Sequence, residues 1–177
     1  PDGFLQKDGK PLRFTILTNQ GNQQRLMTAQ IIQQRLKQVG IDVQIRVVEW
    51  AAFLNELIDK GNFEVVLLAW LTSQDPDMYD IWHSSKTKPG ELNFIGYNNP
   101  EVDRLLEEGR STFDIEKRKK AYYRIQDILA EEQPYTFLYV PDALPVVSSR
   151  IRGIEPAPAG IGHNLIKWYV PRMEQRY

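Results

Sequence analysis

The stretch Trp70 to Tyr79, WLTSQDPDMY, concentrates residue types from which a ligand site is built. A tryptophan closing an apolar segment offers a flat face and one N–H donor. Thr72 and Ser73 follow with hydroxyls, then Asp75 and Asp77 with carboxylates on either side of Pro76. The aspartates have a second explanation. Asp75 before Pro76 is a helix N-cap arrangement, and Asp77 in the first turn complements the helix dipole. Trp70 suits a core as well as a ligand surface. A second polar loop, Asn93 to Pro100 (NFIGYNNP), brings Asn93, Tyr97, Asn98 and Asn99 together. Turn and capping chemistry accounts for Asn98 and Asn99, while Tyr97 is a candidate to line a cleft. His83 reads as a helix-end histidine, and the charged run Glu116 to Lys120 as a solvated helix face.

The chain carries little that points to catalysis. Its two histidines, His83 and His163, are far apart, and there is no cysteine. No H-x-x-x-H or H-E-x-x-H spacing is present for a metal, no G-x-S-x-G elbow for a nucleophile, and no glycine-rich phosphate cradle. The expectation is a chain with no metal and no cofactor, and not an enzyme.

The elements that must hold these residues follow from periodicity. Leu12–Thr18 (LRFTILT) is β-rich. From Gln23 to Val39, Leu26, Ala29, Ile32, Leu36 and Val39 recur every three or four residues on one helix face, and Gly40 stands at the C-cap. Ile41–Val48 alternates apolar and polar residues as a strand. Ala51–Lys60 reads as a short helix, and Phe63–Trp70 (FEVVLLAW) as a strand covered on both faces. This is βαβαβ, an α/β fold with a mainly parallel sheet flanked by helices. The Leu12 strand is expected in the middle. Ligands in such sheets sit beyond the carboxyl ends of the strands, here Asn19–Asn22, Glu49–Trp50 and Trp70–Asp77.

Downstream the pattern is helical. Pro76–Ser84 is expected to form a short helix. Asn99 caps another, with Val102, Leu105 and Leu106 inward. Asp114 caps Ile115–Glu132, whose inner face is Arg118, Ala121, Tyr122, Ile125, Ile128 and Leu129. Tyr135–Val140 (YTFLYV) reads as a strand, and the tail carries strand-like pieces at Pro145–Ser148 and Leu165–Tyr169. The division expected is a lobe over residues 1–143 and a tail over 144–177 that lies on something else.

Bulk composition narrows the partners. The 177 residues are 42% hydrophobic and 25% charged, with 22 basic and 23 acidic side chains and a net charge of -1. That balance gives no electrostatic case for nucleic acid or an anionic membrane. No apolar run approaches the roughly 20 residues that span a bilayer. The sequence opens on Pro1, not an initiator methionine, and the chain is expected to be a piece of a longer protein.

An ordered series of short motifs then resembles one family. Gly9–Lys10–Pro11–Leu12, Gly40–Ile41–Asp42–Val43, Glu49–Trp50 and Gly61–Asn62–Phe63–Glu64 are followed by Trp70…Asp75–Pro76–Asp77, Asn93 to Asp103 and Glu132–Gln133–Pro134. Together they resemble the C-terminal lobe of the dipeptide/oligopeptide-binding family (family 5) of bacterial extracellular solute-binding proteins. The resemblance implies a type II periplasmic-binding-protein lobe whose partner, the N-terminal lobe, is missing from this sequence and is reached by the 144–177 tail. It implies capture of an oligopeptide between two hinged lobes, in the periplasm or outside the cell. Delivery would be to the membrane subunits of an ABC permease. The ligand-binding residues it suggests are Trp70, Ser73, Asp75, Asn93 and Tyr97. Peptide-binding members place an aspartate for the peptide's amino group three residues after the tryptophan. Here that position is Ser73, a far weaker partner for an ammonium. Either Asp75 takes over, or the amine is read differently, or the ligand is an oligosaccharide, nickel or another solute. A stand-alone α/β interaction or receiver-like domain is the alternative from another class.

Overall fold

The computed structural model describes residues 3–71 and 74–175. The chain divides into two compact units, Pro1–Pro134 and Tyr135–Tyr177. The division precedes the 143/144 boundary read from the sequence.

The first unit opens on a two-residue antiparallel ribbon, β1 (Gln6–Lys7) and β2 (Lys10–Pro11). Its core is a three-stranded parallel sheet of β3 (Arg13–Asn19), β4 (Asp42–Val48) and β5 (Val65–Val66) in the order β4-β3-β5. β3 is central, as the sequence suggests, and pairs with β4 along its whole length from Arg13↔Asp42 to Asn19↔Val48. Alternation along β3 feeds two separate cores. Ile16 packs with Ala29 of α1 (Gln23–Gln38) and Val43, joined by Phe14, Ile32, Leu36, Ile41 and Ile45. Leu17, its neighbour, points the other way, into Phe53, Leu57 and Ile58, with Val48, Phe63, Val66 and Phe94 around them. A sheet covered on both faces requires this doubling of the apolar pattern.

Several elements depart from their sequence reading. Val39 is the exposed C-cap of α1, not part of its buried face. Gly40 then turns at φ 82, with Gly3 and Leu5 so near that a Cβ would lie 3.1 Å from them. The helix after β4 starts at Trp50, as α2 (Trp50–Ala52), and widens into a π-type turn over Phe53–Ile58. Of the strand read at Phe63–Trp70, only Val65–Val66 form a ladder. Beyond them Leu67 N–H still donates to the Leu17 carbonyl at 2.9 Å. Apolarity there reflects the two cores above and below the segment, which Val66, Leu67 and Leu68 enter in turn. The helix read at Pro76–Ser84 shrinks to one turn, α3 (Tyr79–Trp82).

The rest of the unit is a helical pair, α4 (Pro100–Ser111) and α5 (Ile115–Glu132), with the expected starts. Asn99 accepts from the Glu101 and Val102 amides, and Asp114 from those of Glu116 and Lys117. The buried face of α5 is Ala121, Tyr122, Ile125, Ile128 and Leu129, facing Val102, Leu105 and Leu106. Gly109 lets the Tyr122 ring close in: a Cβ there would be 2.9 Å from the ring. α5 ends at Gln133 in the left-handed region before Pro134.

In the second unit, Tyr135–Val140 forms no strand, nor does Pro145–Ser148. Their β-propensity has no ladder partner among the described residues, and Phe137, Leu138, Tyr139, Val140, Leu144 and Val146 stand exposed. Ile161–Lys167 forms 3₁₀ turns, so the strand-like piece at Leu165–Tyr169 is reduced to one bridge, Arg152↔Tyr169. A further short turn covers Arg172–Glu174. The fold of this unit is held by Asn164, which donates to the Gly153 carbonyl at 2.8 Å and accepts from the Trp168 indole at 2.8 Å.

Candidate functional site

Parallel pairing puts the carboxyl ends of β3, β4 and β5 on one edge. Asn19, Glu49–Trp50 and the segment from Leu67 onward emerge there. Each has local work to do. The Asn19 side chain accepts from Arg25 Nη1 at 2.7 Å. Glu49 caps α2, accepting from the Ala51 and Ala52 amides at 2.9 and 3.2 Å. Those backbone donors, Ala51 first, hold its carboxyl below the usual glutamate range. The Trp50 ring stacks on Phe53 at 5.7 Å.

Trp70 is partly buried and leans on Phe94, with ring centroids 6.1 Å apart. Phe94 in turn meets Phe63 edge-on at 6.0 Å. The indole therefore has one side supported by the core and is not sealed inside it. Ser73, like Thr72, lies outside the described residues.

Asp75 and Asp77 both hold arginines from the helical pair. Arg118 Nη2 of α5 reaches both Asp75 oxygens, at 2.9 and 3.0 Å. Arg110 Nε of α4 meets Asp77 Oδ2 at 2.8 Å. Each aspartate also accepts from a backbone amide two residues on, Asp77 N at 3.0 Å and Tyr79 N at 3.1 Å. These are local turns and not the helix cap expected of Asp75: α3 starts at Tyr79, its N-cap is Met78 and no side chain caps it, because the chain from Asp75 to Asp77 is tied to the arginines instead. The Arg118 guanidinium, then the Asp77 amide, holds the Asp75 carboxyl below the usual aspartate range. Asp75 reciprocally raises Arg118. Arg110 also lies 4.3 Å above the Tyr79 ring, which stacks on His83 at 4.1 Å. Asp75, Asp77, Arg110 and Arg118, with Thr112 and a fully exposed Phe113, line a shallow cleft of about 190 Å³.

Asn93 and Tyr97 are brought together, but Asn93 is 0% exposed. Its amide donates to the His83 and Tyr97 carbonyls at 3.1 and 2.8 Å and accepts from the Tyr97 N–H at 2.9 Å. Asn93 therefore folds the loop and presents no surface to a ligand. The Tyr97 hydroxyl donates to Glu132 Oε2 at 2.5 Å, and its ring meets Trp82 edge-on at 5.5 Å. Burial, and then the Glu132 carboxylate, push its hydroxyl well above the usual tyrosine range. Glu132 also accepts from Asn99 Nδ2 at 2.7 Å. His83 is buried at the end of α3, its Nδ1 2.8 Å from the Ser85 hydroxyl.

Arg110 and Phe113 were not singled out by the sequence, and Glu132 stood only in the motif Glu132–Gln133–Pro134. One signal for Arg118 existed: it sat on the apolar face of α5, and an inward guanidinium requires a carboxylate. It also belongs to the charged run 116–120, whose other members are exposed.

Known proteins are similar to this chain in sequence and fold. Residues 1–91 match the family described as bacterial extracellular solute-binding proteins, family 5 Middle. The oligopeptide-binding protein AppA of Bacillus subtilis (strain 168) is 38% identical over 172 residues, covering 97% of this chain and 32% of AppA. The structure of that protein in complex with a nonapeptide matches with a TM-score of 0.74 over 97% of this chain and 34% of the other, at 39% identity. NikZ from Campylobacter jejuni in complex with Ni(L-His) matches with a TM-score of 0.70 at 26% identity, over 94% of this chain and 35% of NikZ. The chain spans about a third of the length of these relatives. Two independent cores on one parallel sheet, the motif series and the family match agree: the chain belongs to the family 5 bacterial extracellular solute-binding proteins.

Proposed function

We propose that this chain is the C-terminal lobe of a substrate-binding subunit that captures oligopeptides outside the cytoplasmic membrane, in the periplasm or at the cell surface, and delivers them to an ABC permease. The observation that carries the reading is the 38% identity to an oligopeptide-binding protein across 97% of the chain. Trp70 is the ligand-facing residue in this reading, with a supported ring and a free side at the carboxyl edge of the sheet. Asp75, Tyr97 and Asn93 shape the loops around it. Residues 144–177 lie against the N-terminal lobe, which would cover Leu144 and Val146. Closure of the two lobes over the peptide is a hinge motion driven by contacts made only in the shut state. No catalytic step is involved.

The test is calorimetric titration of the full-length protein with a mixture of short peptides, with Ni–histidine and with a cello-oligosaccharide. Binding of the peptides alone supports the reading; binding of another solute without peptides overturns it. The nickel complex is the second reading, supported by the likeness to NikZ, at lower identity than the likeness to the peptide binder.

A further inference from the structure

A peptide with a free amino terminus brings a cation, and a buried ammonium needs a carboxylate whose charge is not already matched. The strand-end segments Asn19–Asn22, Glu49–Trp50 and Trp70–Asp77 contain three acidic residues, Glu49, Asp75 and Asp77. Glu49 is spent on two amides of α2. Asp75 faces Arg118 and Asp77 faces Arg110, so this corner holds two carboxylates and two guanidiniums and carries no net charge. Each aspartate has a backbone amide as well. Such a corner does not attract an ammonium. It does fasten the segment that follows Trp70 to α4 at one point and to α5 at another.

We infer that Asp75 and Asp77, with Arg118 and Arg110, are positioning residues that fix the course of the chain after Trp70, and that neither aspartate reads the amino group of the ligand. The inference rests on the peptide-binding reading above and narrows it. A peptide's amino group, when it is recognised at all, is recognised by other groups. Each aspartate acts on affinity through the shape of the loop, so its removal penalises peptides whatever their terminus.

The experiment compares one peptide of several residues with its N-acetylated form, by calorimetry on the full-length protein, in wild type, Asp75→Asn, Asp77→Asn, Arg118→Gln and the double variant Asp75→Asn/Arg118→Gln. The expected result is that each substitution weakens both peptides by the same factor, up to about fivefold, as for loss of a solvated ion pair. The ratio of free to acetylated affinity then stays at its wild-type value. Arg118→Gln reproduces Asp75→Asn, and the double variant is no weaker than either. A selective loss of the free-amine peptide in Asp75→Asn or Asp77→Asn, with the acetylated peptide untouched, would overturn the inference while leaving peptide binding intact. Failure of wild type to bind either peptide removes the reading on which it rests.

Discussion

An asparagine with no exposed surface spends its amide on its neighbours, and Asn93 does so three times over. Replacing it by alanine strands the Tyr97 carbonyl and N–H inside the loop, while the His83 carbonyl keeps its bond from the Lys86 N–H. The expected cost is about 1–3 kcal/mol per unsatisfied group, read from thermal or urea unfolding. An unchanged midpoint would remove Asn93 from the frame of this loop. Asp75 makes a prediction of a different kind. Its carboxyl is held below the usual range in the folded chain, chiefly by Arg118, so its contribution to stability is complete above the usual aspartate pKa and disappears as pH falls through the lowered value. The melting-temperature gap between wild type and Asp75→Asn should therefore be open at pH 7 and narrow as pH falls through and below the usual aspartate range. A gap independent of pH would contradict the ion pair. Trp70 belongs to binding: Trp70→Ala should weaken peptide affinity in the full-length protein by about 10- to 100-fold, as for an aromatic anchor, and Trp70→Phe by less.

At the scale of elements, the packing of α5 on α4 includes a contact that only a glycine allows. Gly109 faces the Tyr122 ring, and a β-branched side chain there would collide with it. Gly109→Val should destabilise the chain by about 1–3 kcal/mol through overpacking, with the loss of α4 and α5 seen together by circular dichroism during denaturation. A neutral result would mean the ring has room to move. Helices were the most legible elements, because their ends are written in local chemistry: Asn99–Pro100, Asp114 and Gly40 each stand at or beside the end they signal. The parallel sheet was legible from the βαβαβ order of its elements, including the central place of β3. Strand lengths were not. Whether Phe63–Trp70 or Tyr135–Val140 forms a ladder depends on a neighbouring edge, which lies far away in sequence. The site was half legible for the same reason. Trp70, Asp75 and Tyr97 were visible as types, but Arg110 and Arg118, 33 or more residues further along, decide what Asp75 and Asp77 are doing.

For the whole molecule, the account has this chain contribute one wall of an enclosed site. The 177-residue chain alone should then bind peptide at least about 100-fold more weakly than the full-length protein, since on this reading the second wall that buries the ligand lies on the N-terminal lobe. Equal affinity of the two by calorimetry would show a site complete within this chain. The central claim is that the Trp70 indole meets the captured peptide, and a fluorine resonance tests it directly. Full-length protein labelled with 5-fluorotryptophan, its Trp70 signal assigned by loss in Trp70→Phe, is titrated with a peptide that binds by calorimetry. The account predicts that the Trp70 signal shifts and saturates with the calorimetric dissociation constant. A Trp70 signal that stays in place while the peptide binds would contradict it.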